Sequence, residues 1–344
     1  MAAKTWYKPS AIPQLIARFS RNNRDVEVWT TTCIVTKFGK QAQDHYESPQ
    51  CTALINPANP NLTGPNSFPY FPRGGPQPAL QPTRDAHHIM GYVSQWGGMD
   101  VGTGMLFSAE AIDGLVHQLG GLRFHAECKL VPTHDYTRAY LNQQTTQPEV
   151  KNDEDNQSTH KLNKGDMQAK CPVGTAVVTS SGGDDLQKHY DFIIHTTPPF
   201  YRHPPCQTKE LKQILEIKDA VVSDTHSWSK ELLRSCYRQS FNLALDCNSY
   251  MKSNYFSNLL GMVGLIKPAY RHNKRVAVPL LGAGCRDFPK ELALEVAALE
   301  SAAWLSNLDS DIPDNSEEID AAVVFGLLEE ADAKSLSDQI EKLL

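Results

Sequence analysis

The sequence predicts an α/β protein in which a mixed sheet carries helices on both faces. Short apolar runs of strand character recur along the 344 residues, and segments with helical spacing lie among them, which is the order that packs helices over a central sheet. A hydrophobic fraction of 40% with 21% charged residues suits a globular chain with a sizeable buried core.

In chain order, strands are expected at residues 26–29, 33–38, 53–56, 175–179, 192–196, 276–281 and 321–325. A helix is expected over 229–244, where Leu233, Tyr237, Ser240 and Ala244 fall at helical spacing. Another begins at Pro289, a residue tolerated in a first turn, and lines up Leu292, Val296, Leu299 and Ala303. A last helix, 333–344, repeats the pattern with Leu336, Ile340 and Leu343.

Three stretches differ in composition. Residues 60–96 hold seven prolines and the cluster Phe68-Pro69-Tyr70-Phe71-Pro72, which reads as a loop excursion packed on a surface. Residues 133–170 are rich in Gln, Asn, Thr and charge, and 307–318 are acidic. No break separates two complete strand sets, so the expectation is an N-terminal extension over 1–25 and one domain over 26–344 with these three insertions. There is no internal repeat.

A net charge of −6 argues against a nucleic-acid partner bound through many phosphates. No run of 18 apolar residues occurs; the stretch 259–266 is too short to span a bilayer. Lys4, Lys8, Arg18, Arg21 and Arg24 give residues 1–24 an organelle-targeting flavour, which Pro9 and Pro13 weaken by breaking an amphipathic helix. Eight scattered cysteines without a Cys-x-x-Cys suit reduced thiols of the cytoplasm or nucleus.

Two motifs carry chemistry. Asn56-Pro57-Ala58-Asn59 follows an apolar run, so the sheet delivers two carboxamides to the carboxyl edge of a strand, where open α/β sheets bind ligands. A carboxamide donates and accepts, which fits sugar hydroxyls or a positioned water; the competing reading is an Asx-rich turn. Gly282-Ala283-Gly284 sits between a strand and a helix, the context in which backbone N–H groups cradle a phosphate. The neighbours His87 and His88 point in different directions on any regular element and lack a third ligand, so no metal site is expected. His117 and His195 read as core or supporting histidines.

Taken together these segments resemble the macrodomain family of ADP-ribose binders, and in motif its MacroD-like hydrolase group. The run Ala53-Leu54-Ile55-Asn56-Pro57-Ala58-Asn59 resembles the strand ending in Asn-x-Ala-Asn, and Ile112-Asp113-Gly114-Leu115-Val116-His117 resembles Val-Asp-Gly-x-Ile-His. Cys171-Pro172-Val173-Gly174-Thr175-Ala176 and Ile194-His195-Thr196 are similar to the next two strands, residues 278–289 to the second phosphate loop, and 323–328 to the last strand. The resemblance implies a three-layer α/β/α fold and a site that takes ADP-ribose or an ADP-ribosylated protein without cofactor or metal. Its hydrolytic members imply hydrolysis of ADP-ribosyl-protein or related ADP-ribose esters.

Carried over, Asn56, with Ala58 beside it, contacts the distal ribose, Asn59 positions ribose and water, and Asp113 activates that water. Gly282, Ala283, Gly284 and Cys285 hold the diphosphate. Arg286 stands where the family shows an aromatic residue and offers a planar fork to phosphate oxygens. The family joins its Asn motif to Val-Asp-Gly by a short glycine loop, whereas here residues 60–112 intervene. Gly97 and Gly98, in Gly97-Gly98-Met99-Asp100, are candidates to replace that loop, which makes Asp100 a rival to Asp113. Cys33-Ile34-Val35-Thr36 replaces the family's adenine-reading Gly-Asp-Ile-Thr and lacks its acid. Alternatives from other classes are a non-catalytic reader of ADP-ribose or another nucleotide diphosphate, and a scaffold with a decayed pocket. Oligomeric state is not read from the sequence.

Overall fold

A computed structural model describes residues 12–21, 23–40, 48–64, 112–132, 134–135, 168–183, 185–201, 204, 212, 224–245, 274–284, 286–306 and 321–344. Its strands are β1 (Gln14–Arg21), β2 (Arg24–Thr30), β3 (Ala53–Pro57), β4 (His134–Asp135), β5 (Gln168–Ala169), β6 (Ala176–Ser180), β7 (Phe192–Thr196), β8 (Lys274–Val278) and β9 (Ala321–Leu327). The helices are α1 (Ile34–Lys37), α2 (Ile112–Leu130), α3 (Leu186–His189), α4 (Thr225–Leu245), α5 (Lys290–Ser306) and α6 (Glu330–Leu343).

Seven strands make one sheet in the order β1-β2-β9-β8-β3-β7-β6. The five inner strands run parallel, and β1 and β6 close the edges antiparallel. Parallel strands covered on both faces read as continuous apolar runs, which is why β3, β7, β8 and β9 stood out in the sequence. Successive side chains take opposite faces. On one face Ile55, Ile194, Val276, Val278, Val323 and Phe325 pack with residues of α4, α5 and α6. On the other, Leu54, Ile193, Ala277 and Val324 pack with α1, α2 and α3 through Ile34, Val116, Phe124 and Leu186. The result is the three-layer α/β/α arrangement, with a core on each side of the sheet.

Two expectations need correcting. Residues 33–38 were expected as a strand, but the chain leaves β2 and turns into α1, burying Ile34 and Val35 from a short helix. A brief apolar run satisfies either geometry, so periodicity could not separate them. The sheet also starts before residue 26, because Gln14–Arg21 pairs along β2 as the edge strand β1. Its side chains are mostly exposed or half-exposed, which removes the apolar signature of a strand.

Most of the three compositional insertions lies outside the described residues, yet their anchors are seen. The ribbon β4-β5 joins the ends of the second insertion. The N–H groups of Lys170 and Cys171, where that insertion returns, both donate to the Pro60 carbonyl at the start of the first, each at 2.9 Å. The five cysteines described, Cys33, Cys51, Cys128, Cys171 and Cys236, are free thiols, and burial pushes Cys128 and Cys236 up to about 12.

Away from the carboxyl edge, Glu27 is fully buried and accepts from Arg18 (2.6 Å), Arg275 (2.6 Å) and the Trp29 indole (2.9 Å). These partners outweigh desolvation and hold its carboxyl below the usual range. Arg275 is itself largely buried while Arg18 is half exposed, so the two pairs differ in worth. Glu27→Gln strands the Arg275 cation and is expected to cost about 3 kcal/mol, whereas Arg18→Ala costs about 1 kcal/mol or less. Urea unfolding of the two variants measures this, and equal losses contradict it.

Candidate functional site

Strand alternation builds the site. Asn56 is two residues beyond Leu54 and takes its face, toward α2. His195 is paired with Asn56 in register on β7 and shares that face. The insertion returns at Ile112, and the first turn of α2 sets Asp113 above them. Asn56 Nδ2 donates to Asp113 Oδ1 at 2.8 Å and lies 3.3 Å from His195 Nδ1. Its Oδ1 is buried without a hydrogen-bond partner among the described residues. A long insertion therefore separates Asn59 from Asp113 in sequence while leaving Asp113 in contact with the Asn motif.

Burial dominates the electrostatics. Asp113 is pushed up to about 6 by desolvation, which the Asn56 hydrogen bond and the Arg286 charge only partly offset. One helical turn on, His117 Nε2 lies 3.5 Å from Asp113 Oδ1, and its Nδ1 lies 3.3 Å from His125 Nδ1. Desolvation and His125 bring His117 down to about 4, and desolvation brings His195 down to about 3. Both rings are neutral at pH 7, and His195 Nε2 reaches Thr179 Oγ1 at 3.0 Å. The Phe124 ring stacks on His195 with centroids 5.5 Å apart.

Asn59 takes the Asx-turn alternative. Its Oδ1 accepts from the N–H of Asn61 (3.0 Å) and Thr63 (3.3 Å) and from the Thr63 hydroxyl (3.3 Å), and its Nδ2 donates to the Gly64 carbonyl (3.4 Å). Asn59, expected to position a ribose and a water, has both side-chain polar atoms hydrogen-bonded within its own loop. At the end of that loop Gly64 has φ 71°, and a Cβ there would meet the His117 ring at 2.8 Å. Ala58 is also engaged within the protein: its N–H donates to the Thr196 carbonyl at 2.8 Å and its carbonyl accepts from Arg286 Nη2 at 3.0 Å. Its carbonyl anchors Arg286.

The glycine turn lies beside these residues. Gly282 has φ 86° and is buried against Phe288 and Leu233, a conformation and space that exclude a side chain. Gly284 is exposed, with nothing within 4 Å of where a Cβ would stand. The Leu281 N–H is held by the Tyr237 hydroxyl at 2.9 Å. Among the described residues, the N–H groups of Gly282, Ala283 and Gly284 have no hydrogen-bond partner. Arg286, half-buried, stacks over Phe200 at 4.3 Å and has no carboxylate partner among the described residues. Cys285, Gly97, Gly98 and Asp100 lie outside the described residues, as do His87 and His88.

Asn56 and Asp113 are in direct contact, Arg286 acts on Asp113 through its charge and bonds the Ala58 carbonyl, and the Gly282–Gly284 turn lies just ahead of Arg286 in the chain. His195 and Thr179 were not foreseen as site residues. The signal available for His195 was its place at the carboxyl end of a strand, opposite the Asn motif in any register that pairs the two runs.

Burying Asp113 has a cost with a definite pH window. Its folded value lies above the ordinary 3.8, so the folded chain binds the proton more tightly. The carboxyl's contribution to stability therefore falls as pH rises from about 4 to about 6 and stays low above it. Asp113→Asn keeps an acceptor for Asn56 Nδ2 and removes the charge. The variant is expected to be more stable than wild type by roughly 1–3 kcal/mol at pH 8, with the difference vanishing by pH 4. Urea midpoints at the two pH values test it; a less stable variant at pH 8 contradicts the assignment.

The Macro domain family model matches residues 152–297, a stretch that includes β5 to β8, the Gly282–Gly284 turn and part of α5. Asn56 and Asp113 precede it. No curated protein matches the chain. Among solved structures, the Oceanobacillus iheyensis macrodomain with MES bound is 15% identical with a TM-score of 0.44, covering 96% of this chain and 97% of that one. The same macrodomain with ADP is 15% identical with a TM-score of 0.44, covering 97% and 98%. The Trypanosoma brucei macrodomain in complex with ADP-ribose is 13% identical with a TM-score of 0.36, covering 84% and 63%. The family match spans residues 152–297, less than half of the 344 residues, and over that stretch the chain is similar to the Macro domain family.

Proposed function

We propose that this chain binds ADP-ribose at the carboxyl edge of β3, β7 and β8. The observation that carries the reading is the buried, unpartnered Asn56 Oδ1 beside Asp113, because a buried acceptor left unmade is costly and a sugar hydroxyl satisfies it. The diphosphate lies on the N–H groups of the Gly282–Gly284 turn. Arg286, tied to Ala58 and stacked on Phe200, supplies a cation to the phosphate oxygens.

Hydrolysis of an ADP-ribosyl ester follows from the same site. Asp113 takes a proton from a water whose oxygen attacks the anomeric carbon; the bond from that carbon to the ester oxygen breaks, and the acyl group leaves as a carboxylate. The Asn59 oxygen is engaged in its loop, so among the described residues Asn56 and Asp113 position the water. That engagement also favours a second reading, a reader that binds ADP-ribose without turnover and presents it to a partner protein.

Calorimetry and turnover separate the two. Gly284→Val, placed in open space, is expected to leave thermal stability unchanged and weaken ADP and ADP-ribose alike by about tenfold or more. Unchanged affinity places the diphosphate elsewhere. With mono-ADP-ribosylated protein as substrate, turnover is expected to rise through pH 6 as Asp113 ionises and to vanish in Asp113→Asn. Binding with no turnover by wild type at any pH leaves the reader, and binding of neither nucleotide removes both.

A further inference from the structure

His195 is buried with both ring nitrogens engaged, and its partners define a chain of donors and acceptors that ends in the site. Asn56 Nδ2 carries two hydrogens. One goes to Asp113 Oδ1 at 2.8 Å. The other points to His195 Nδ1 at 3.3 Å, which accepts it only when the imidazole proton sits on Nε2. Nε2 has an acceptor for that proton in Thr179 Oγ1 at 3.0 Å. The reversed carboxamide would set Asn56 Oδ1 against an ionised Asp113 oxygen and is repulsive.

We infer that His195 is a positioning residue: held as the Nε2–H tautomer by Thr179, it fixes the Asn56 carboxamide so that Oδ1 faces the ligand as an obligatory acceptor. The subsite therefore selects a hydroxyl donor, such as a ribose hydroxyl, over a group that can only accept. Packing supports the assignment, because Phe124 stacks on the ring at 5.5 Å and closes one side of it. Gly120 and Gly182 are pressed against Phe124 so closely that a Cβ at either would approach within 2.7 Å of it. The ring is thus held by packing as well as by hydrogen bonds. The ligand part of the inference rests on the proposed reading of Asn56 as the ribose contact.

Two measurements decide it. Long-range proton–nitrogen NMR of the wild-type chain at pH 7.5 is expected to show His195 neutral and protonated at Nε2; protonation at Nδ1 overturns the inference whether or not any nucleotide binds. Calorimetry of His195→Leu is expected to lose ADP-ribose affinity by about five- to tenfold while ADP affinity changes less than about twofold, the size of one lost hydrogen bond. His195→Asn, whose carboxamide oxygen can stand near the place of Nδ1, is expected to recover part of the loss. Equal losses for both nucleotides show a purely structural histidine and also overturn the inference. If wild type binds neither nucleotide, the reading of the ligand fails, and the tautomer alone judges how Asn56 is held.

Discussion

The contact between Asn56 and Asp113 organises the rest of the site. It joins the carboxyl end of a central strand to the first turn of α2, and it does so in a place from which water is largely excluded. Low local polarity strengthens that bond and raises the cost of every polar atom near it that lacks a partner. Desolvation keeps Asp113 less acidic than usual although the Asn56 hydrogen bond pulls the other way, and that bond, together with His195, determines which end of the Asn56 amide faces outward. The fold tolerates that expense because two apolar cores flank the sheet.

The opposite treatment of two buried acids makes the point. Glu27 is also withdrawn from water, yet two guanidinium groups and an indole satisfy it and keep its carboxyl low. Asp113 has one neutral carboxamide donor, a more distant Arg286 charge and a neutral imidazole. One carboxylate is paired for folding. The other is left with unused basicity at the carboxyl edge of the sheet, an environment suited to a group that binds or moves a proton.

Most of the fold was legible because buried parallel strands and amphipathic helices write themselves into the sequence. β3, β7, β8 and β9 each carry a run of three or more apolar residues, Ala53-Leu54-Ile55, Phe192-Ile193-Ile194, Val276-Ala277-Val278 and Ala321 to Phe325, and the helices over Thr225–Leu245 and Lys290–Ser306 kept their spacing. β1 left no such trace, since its exposed edge carries polar residues, and α1 is too short for period to tell helix from strand. In the site, Asn56, Gly282 and Gly284 were visible through motif and context. The hydrogen bonds that Ala58 and Asn59 make within the protein were not legible, because whether a carboxamide or a backbone group faces its own loop depends on a turn that spacing does not encode. The pairing of His195 with Thr179 depends on the register of β6 against β7, which a single sequence does not show.

In the proposed function the Asn56 oxygen is the buried acceptor around which the ligand is seated. A crystal structure of the chain with ADP-ribose tests it most directly. The expected result is a distal ribose hydroxyl donating to Asn56 Oδ1, the Asn56 amide still on Asp113, and the diphosphate on the Gly282–Gly284 N–H groups. A nucleotide seated away from β3, or an Asn56 amide turned to donate to the ligand, would contradict it.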